Sequence, residues 1–188
     1  MLKTLQLGFS GSCYWCMEAV FQSLEGVISA EQGWMSAFNA SERFEAVLVE
    51  YDPLKISVDV LVAVHLHTHH CTSDHALRTR YPSVIYAYSD PQSERAVEAL
   101  KLHQSDFSDR LVTQVEAAGE FEPCDDEKQN YFFNHPNRPF CEGQILPKLQ
   151  ILLTRFGEHI SADKRGVIEL AREEDSTVKK GGSEDPPK

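Results

Sequence analysis

A chain of 188 residues with 41% hydrophobic and 25% charged side chains has the make-up of a globular protein that can bury a core. Its formal charge of −11, from 18 basic and 29 acidic side chains, excludes nucleic acid and an anionic membrane as main partners, because both demand a basic face. No apolar run nears the ~20 residues of a bilayer span, and the stretch after Met1-Leu2-Lys3 is too short for a signal segment, so a cytoplasmic protein is expected.

In sequence order, Leu5 to Phe9 reads as a short strand, followed by a Gly/Ser turn. From Cys13 the period changes. Trp15, Ala19, Val20 and Leu24 recur at helical spacing up to a stop at Gly26, with Ser12 as expected N-cap. Val27 to Gln32 and Phe44 to Tyr51 read as strands, the latter ended by Asp52-Pro53. Ser57 can cap a helix containing Val58, Leu61 and Val62. Residues 66–82 are polar and histidine-rich, with no clear period. Ser83 to Tyr88 is a strand, 91–108 a charged amphipathic helix, and Leu111 to Val115 a further strand. Glu127 to Asn134 and Pro147 to Phe156 read as helices. This order predicts an α+β fold, a two-layer mixed sheet with packed helices. Residues 157–188 form a polar tail expected to be disordered, with a helical turn at Ile168 to Glu173.

The five cysteines are Cys13, Cys16, Cys71, Cys124 and Cys141. An odd count without a secretory signature argues against a disulfide framework and leaves structural thiols, metal ligands or redox catalysts. Cys13 stands where physics favours a thiolate. Free N–H groups and the positive end of the helix dipole both stabilise anionic sulfur there. Tyr14 and Trp15 beside it can wall a pocket for a small alkyl group, such as a methyl on sulfur. Buried packing of Cys13 as a small hydrophobe is the bland alternative. The C-x-x-C of Cys13 and Cys16 also permits a thioredoxin-like disulfide site. A four-ligand zinc site would need a second such pair, which the sequence lacks.

The segment Gly11-Ser12-Cys13-Tyr14-Trp15-Cys16-Met17-Glu18, with Leu24-Glu25-Gly26-Val27, resembles the start of the peptide methionine sulfoxide reductase A family, G-C-F-W with C-x-E and L-x-G-V. Further motifs resemble that family in the same order. Gln32-Gly33-Trp34 is similar to x-G-Y, Phe44-Glu45-Ala46-Val47 with Tyr51-Asp52-Pro53 to H-A-E-A-V and Y-D-P, and Thr79-Arg80-Tyr81-Pro82-Ser83 to G-T-Q-Y-R-S. Gln129-Asn130-Tyr131, Pro136, Phe140-Cys141 and Pro147-Lys148-Leu149 complete the series.

The resemblance implies a ferredoxin-like core over residues 1–156 and reduction of the S-epimer of methionine sulfoxide, protein-bound or free. Cys13 would be the nucleophile, Glu45 the acid, Tyr81 a hydroxyl donor to the sulfoxide oxygen, and Tyr14 and Trp15 the methyl pocket. A second thiol, Cys141 or alternatively Cys16, would convert the Cys13 sulfenic acid into a disulfide recycled by thioredoxin, with no other cofactor and no metal. The implied role is repair under oxidative stress.

Two departures lie beside the thiol, Ser12 for the family's glycine and Tyr14 for its phenylalanine, and the others gather on the oxygen side. Arg43 replaces the family's histidine before the acid, Ala76 its aspartate (with Asp74 nearby), and Arg78, Arg80 and Pro82 its glycine, glutamine and arginine. Residues between Trp34 and Phe44 that carry another active-site tyrosine in the family are missing. His65, His67, His69, His70, Cys71 and His75 have no counterpart there. On a strand or a helix, part of that set shares a face, so a metal-binding or interaction module on the same fold is a second expectation.

Overall fold

A computed structural model describes residues 4–74 and 76–181, with side-chain surroundings as far as residue 173. The described strands are β1 (Leu5–Ser10), β2 (Val27–Ala37), β3 (Phe44–Tyr51), β4 (Val84–Ala87) and β5 (Gln114–Pro123). The described helices are α1 (Tyr14–Gln22), α2 (Val58–Thr68), α3 (Asp90–His103), α4 (Tyr131–Asn134), α5 (Leu146–Arg155) and α6 (Ala162–Gly181).

A mixed sheet with packed helices forms, but it closes on itself where an open two-layer, ferredoxin-like arrangement was expected. The strand order is β1-β3-β2-β5-β4, and β1 then pairs antiparallel with β4. Among the described strands only β4 and β5 run parallel. Closure has a physical cause in the alternation of β1. Leu7 and Phe9 point outward to the helices, and Phe9 stacks on Phe21 of α1 at 4.4 Å. Gly8 points inward, where an added Cβ would lie 2.3 Å from the Met35 sulfur. The missing side chain lets Met35, Ala46, Val84 and Tyr86 fill a narrow interior. Closure also pairs the edges that an open sheet would leave free.

Three local expectations change. The helix expected over Glu127 to Asn134 is broken at Asn130, whose φ of 57° is left-handed. The N–H groups of Asn130 and Tyr131 donate at 2.6 and 3.0 Å to the buried carboxyl of Glu18, so a side chain from α1 takes donors that a continuous helix would use. β5 starts at Gln114 and runs to Pro123, because pairing with β2 extends it through weak strand formers. The expected disorder after residue 156 does not hold for the first part of the tail. Ile160, Ile168 and Ala171 are buried, and α6 packs its apolar stripe on the core. Residues 182–188 lie outside the described residues.

Candidate active site

The turn from β1 to α1 carries Cys13. Cys13, not Ser12, occupies the N-cap, with its carbonyl accepting from the N–H groups of Cys16 and Met17 at 3.1 and 3.2 Å. Ser12 does not cap. Its hydroxyl is buried without a hydrogen-bond partner. The Cys13 thiol is held below its ordinary value, first by a hydrogen bond from Cys16 and then by the N–H groups of Trp15 and Cys16, while burial and Glu45 oppose this. The buried Cys16 thiol is pushed strongly up, mainly by that same hydrogen bond and by desolvation. One sulfur is therefore poised to ionise and its neighbour holds the proton. Half-buried Lys148 adds positive charge near both sulfurs, while its ammonium donates to the Thr68 carbonyl.

Glu45 and Tyr81 reach this thiol from separate segments. Glu45 lies on β3 opposite Trp34 of β2 and is 4% exposed. Its Oε2 accepts from the Tyr14 N–H at 3.4 Å, and its Oε1 accepts from Arg80 Nη2 at 3.1 Å. Tyr81 lies beside them. Its hydroxyl is raised by burial and by Glu45, and the Arg80 guanidinium stands 5.2 Å above its ring. The register of β2 and β3 thus sets the acid across from an aromatic, and the loop before β4 brings the hydroxyl.

The two aromatics after Cys13 diverge. Tyr14 packs edge-on against Trp34 at 6.2 Å, and its hydroxyl, pushed up to about 12 by burial and by Cys124, meets the Cys124 thiol. Trp15 stacks flat on Tyr131 at 4.2 Å, with Phe140 edge-on at 5.3 Å. Both can border a methyl group, on different sides. Trp34, Tyr131 and Cys124 were not expected at the site. Trp34 and Tyr131 stood inside recognised motifs, whereas Cys124 carried no local signal.

Cys141 is fully buried in a π-helical turn, Cys141–Ile145. It neighbours Cys16, which it influences electrostatically, and Cys16 Sγ lies 3.9 Å from the Gln144 carbonyl in the same turn.

The histidines do not converge on a metal position. His65 and His69 stack at 4.2 Å beneath the β1–α1 turn. His65 bonds the Ser10 carbonyl at 2.9 Å. His69 bonds the His65 carbonyl at 2.6 Å and the Ser83 hydroxyl at 2.7 Å. Burial lowers both, His65 to about 4, so they stand neutral. A Cβ at Gly11 would come within 2.7 Å of the His69 ring, so the turn rests directly on this pair. His67 faces away toward Asp106 at 3.1 Å and Phe107. Among the described residues no group of three His, Cys, Asp or Glu side chains is arranged to hold a metal ion. His75 lies outside the described residues.

A thiol of lowered pKa at a helix N-terminus, with a carboxyl and a tyrosine hydroxyl among its neighbours, is an arrangement suited to thiol chemistry. Known relatives show which kind. The family profile described as peptide methionine sulfoxide reductase matches residues 6–159. The peptide methionine sulfoxide reductase MsrA of Polynucleobacter asymbioticus is 33% identical over 82% of this chain and 91% of its own length. Methionine sulfoxide reductase A of Corynebacterium diphtheriae superposes with a TM-score of 0.60 at 25% identity, over 71% of this chain and 76% of that one. Mxr1 of Saccharomyces cerevisiae, solved in complex with Trx2, shares the fold with a TM-score of 0.55 at 18% identity, over 67% and 84%. The chain belongs to the peptide methionine sulfoxide reductase family.

Proposed function

We propose that this protein reduces the S-epimer of methionine sulfoxide to methionine and is recycled by thioredoxin. The observation that carries the reading is the Cys13 thiol, lowered at the N-terminus of α1, with the Glu45 carboxyl among its neighbours. The thiolate attacks the electrophilic sulfoxide sulfur. Glu45 supplies a proton to the sulfoxide oxygen and Tyr81 donates a hydrogen bond to it. Methionine leaves, and the oxygen remains on Cys13 as a sulfenic acid. Tyr14 and Trp15 border the methyl group.

Cys16 is preferred to Cys141 as first resolving thiol, because it stands three residues from Cys13 on the same face of the helix start and the two thiols act on each other's ionisation. Its sulfur attacks the Cys13 sulfenic sulfur, water leaves, and a Cys13–Cys16 disulfide remains. Thioredoxin returns two electrons to it. That partner is supported by the family and by the Mxr1 complex with Trx2. The reading places the protein's work in the reducing cytoplasm, with residues 1–156 as the catalytic unit.

The test is turnover of each epimer, free and peptide-bound, with dithiothreitol or thioredoxin. Consumption of the S-epimer alone is expected. Protein inert toward both epimers in both forms contradicts the reading.

A further inference from the structure

Arg80 sits at the mouth of the site with its side chain 67% exposed, bonded at 3.1 Å to a carboxyl that is 5% exposed. This is an uneven pair. Glu45 is fixed by β3 and by the Tyr14 N–H, whereas Arg80 comes from a surface loop and lies flat over the Tyr81 ring. A guanidinium has five N–H donors in a planar fork, and the bond to Glu45 uses one of them, through Nη2. Carboxylates match that fork in two-pronged fashion.

The backbone beneath the fork is held from another direction. Arg78 donates to the carbonyls of Tyr81 at 2.9 Å, Gly11 at 3.4 Å, Ser73 at 2.9 Å and His70 at 2.6 Å. The loop is therefore tied to the nucleophile turn by Arg78, which leaves the Arg80 side chain free to change partners without dragging Tyr81 away.

We propose that Arg80 is a specificity-determining residue that receives a carboxylate carried beside the sulfoxide, so that the favoured substrates are free methionine sulfoxide or one flanked by an acidic residue or a terminal carboxylate. The inference rests on the reductase reading above. When the substrate carboxylate takes the guanidinium, Oε1 of Glu45 loses its partner and is free to face the sulfoxide oxygen. The exchange swaps one carboxylate for another on Arg80, so no unpaired cation is left in the mouth of the site, and a proton from solvent takes the guanidinium's place on Glu45 and passes from there to the sulfoxide oxygen. The net charge of −11 works against acidic substrates at long range, so the preference must come from a local cation.

The test compares kcat/KM for N-acetyl-methionine-S-sulfoxide, which has a free carboxylate, with its neutral methylamide, in wild type, Arg80→Gln and Arg80→Lys. A second arm compares sulfoxide peptides flanked by Asp or by Asn, which separates a terminal from an aspartyl carboxylate as the source. Wild type is expected to favour the carboxylate by about tenfold or more, the scale of a charged hydrogen bond. Arg80→Gln loses that preference while still turning over the methylamide, and Arg80→Lys keeps part of it. Equal preference in wild type and Arg80→Gln, or no preference in wild type, overturns the proposal and leaves the reductase reading standing. Wild type that turns over no sulfoxide at all removes both.

Discussion

The nucleophile side and the oxygen side of this site are built in different ways. Cys13, Cys16 and their lowering N–H groups come from one stretch of four residues at the start of α1. Glu45, Arg80 and Tyr81 come from a strand and a distant loop, joined by the Arg80–Glu45 bond, by the closed sheet and by the carbonyls held by Arg78. A local site survives sequence change as long as its helix starts in the same place. A composite site shifts with substitutions in its loop, and there the protein has arginines at 78 and 80 where the motif it resembles reads glycine and glutamine. The thiol side is thus built locally, and the oxygen side is assembled from distant segments.

The largest effect expected is at the nucleophile. Cys13→Ser should remove sulfoxide reduction altogether, measured as methionine formed with dithiothreitol. Without reductant, Cys16→Ser should still release about one methionine per protein in a single turnover and then stop as the sulfenic acid, which a dimedone adduct on Cys13 would report. On the oxygen side, Glu45→Gln should lower kcat by roughly 10²–10³ with little change in KM, since a general acid acts in the transition state. Tyr81→Phe should cost about tenfold in kcat, the worth of one hydrogen bond. If Tyr81→Phe equalled Cys13→Ser in severity, the contrast between the two halves would fail.

The smallest effect on catalysis is expected beneath the turn. Burial lowers His65 from 6.5 to about 4, so its neutral form contributes stability that is full above 6.5 and is lost as pH falls toward 4. His65→Gln can keep the bond to the Ser10 carbonyl and should lose about 2 kcal/mol less stability than wild type between pH 7.5 and 5, by urea denaturation. Glu18 works with the opposite sign. Burial raises it to about 7, so its contribution is lost as pH rises through that value, and it acts equally in both proteins. An unchanged acid slope in His65→Gln would show that the histidine pair does not support the nucleophile turn in its neutral form.

What could be read from the sequence follows the same divide. The β1–α1 unit, the C-x-x-C pair and the helices with clear stripes are local, and their period is written in adjacent residues, although the N-cap of α1 is Cys13 where Ser12 was expected. Closure of the sheet was not legible, because it depends on Gly8 making room for Met35, a contact across strands. The break at Asn130 depends on a carboxyl from α1. The pairing of Arg80 with Glu45 and the meeting of Tyr14 with Cys124 are likewise products of register and loop course. The histidine run showed donor chemistry but not its use. Helix α2 turns His65 inward and sends His67 to the other side, and His69, just past its end, turns back to the His65 carbonyl and the Ser83 hydroxyl.

The central claim is that Cys13 attacks the sulfoxide and Cys16 resolves it. The most direct measurement is mass-spectrometric mapping of all five cysteines after reduced protein meets one equivalent of the S-epimer without reductant. The account predicts a Cys13–Cys16 disulfide with Cys71, Cys124 and Cys141 free. A Cys13–Cys141 disulfide would contradict the resolving step, and a Cys13 that stays a free thiol while methionine forms would contradict the account at its root.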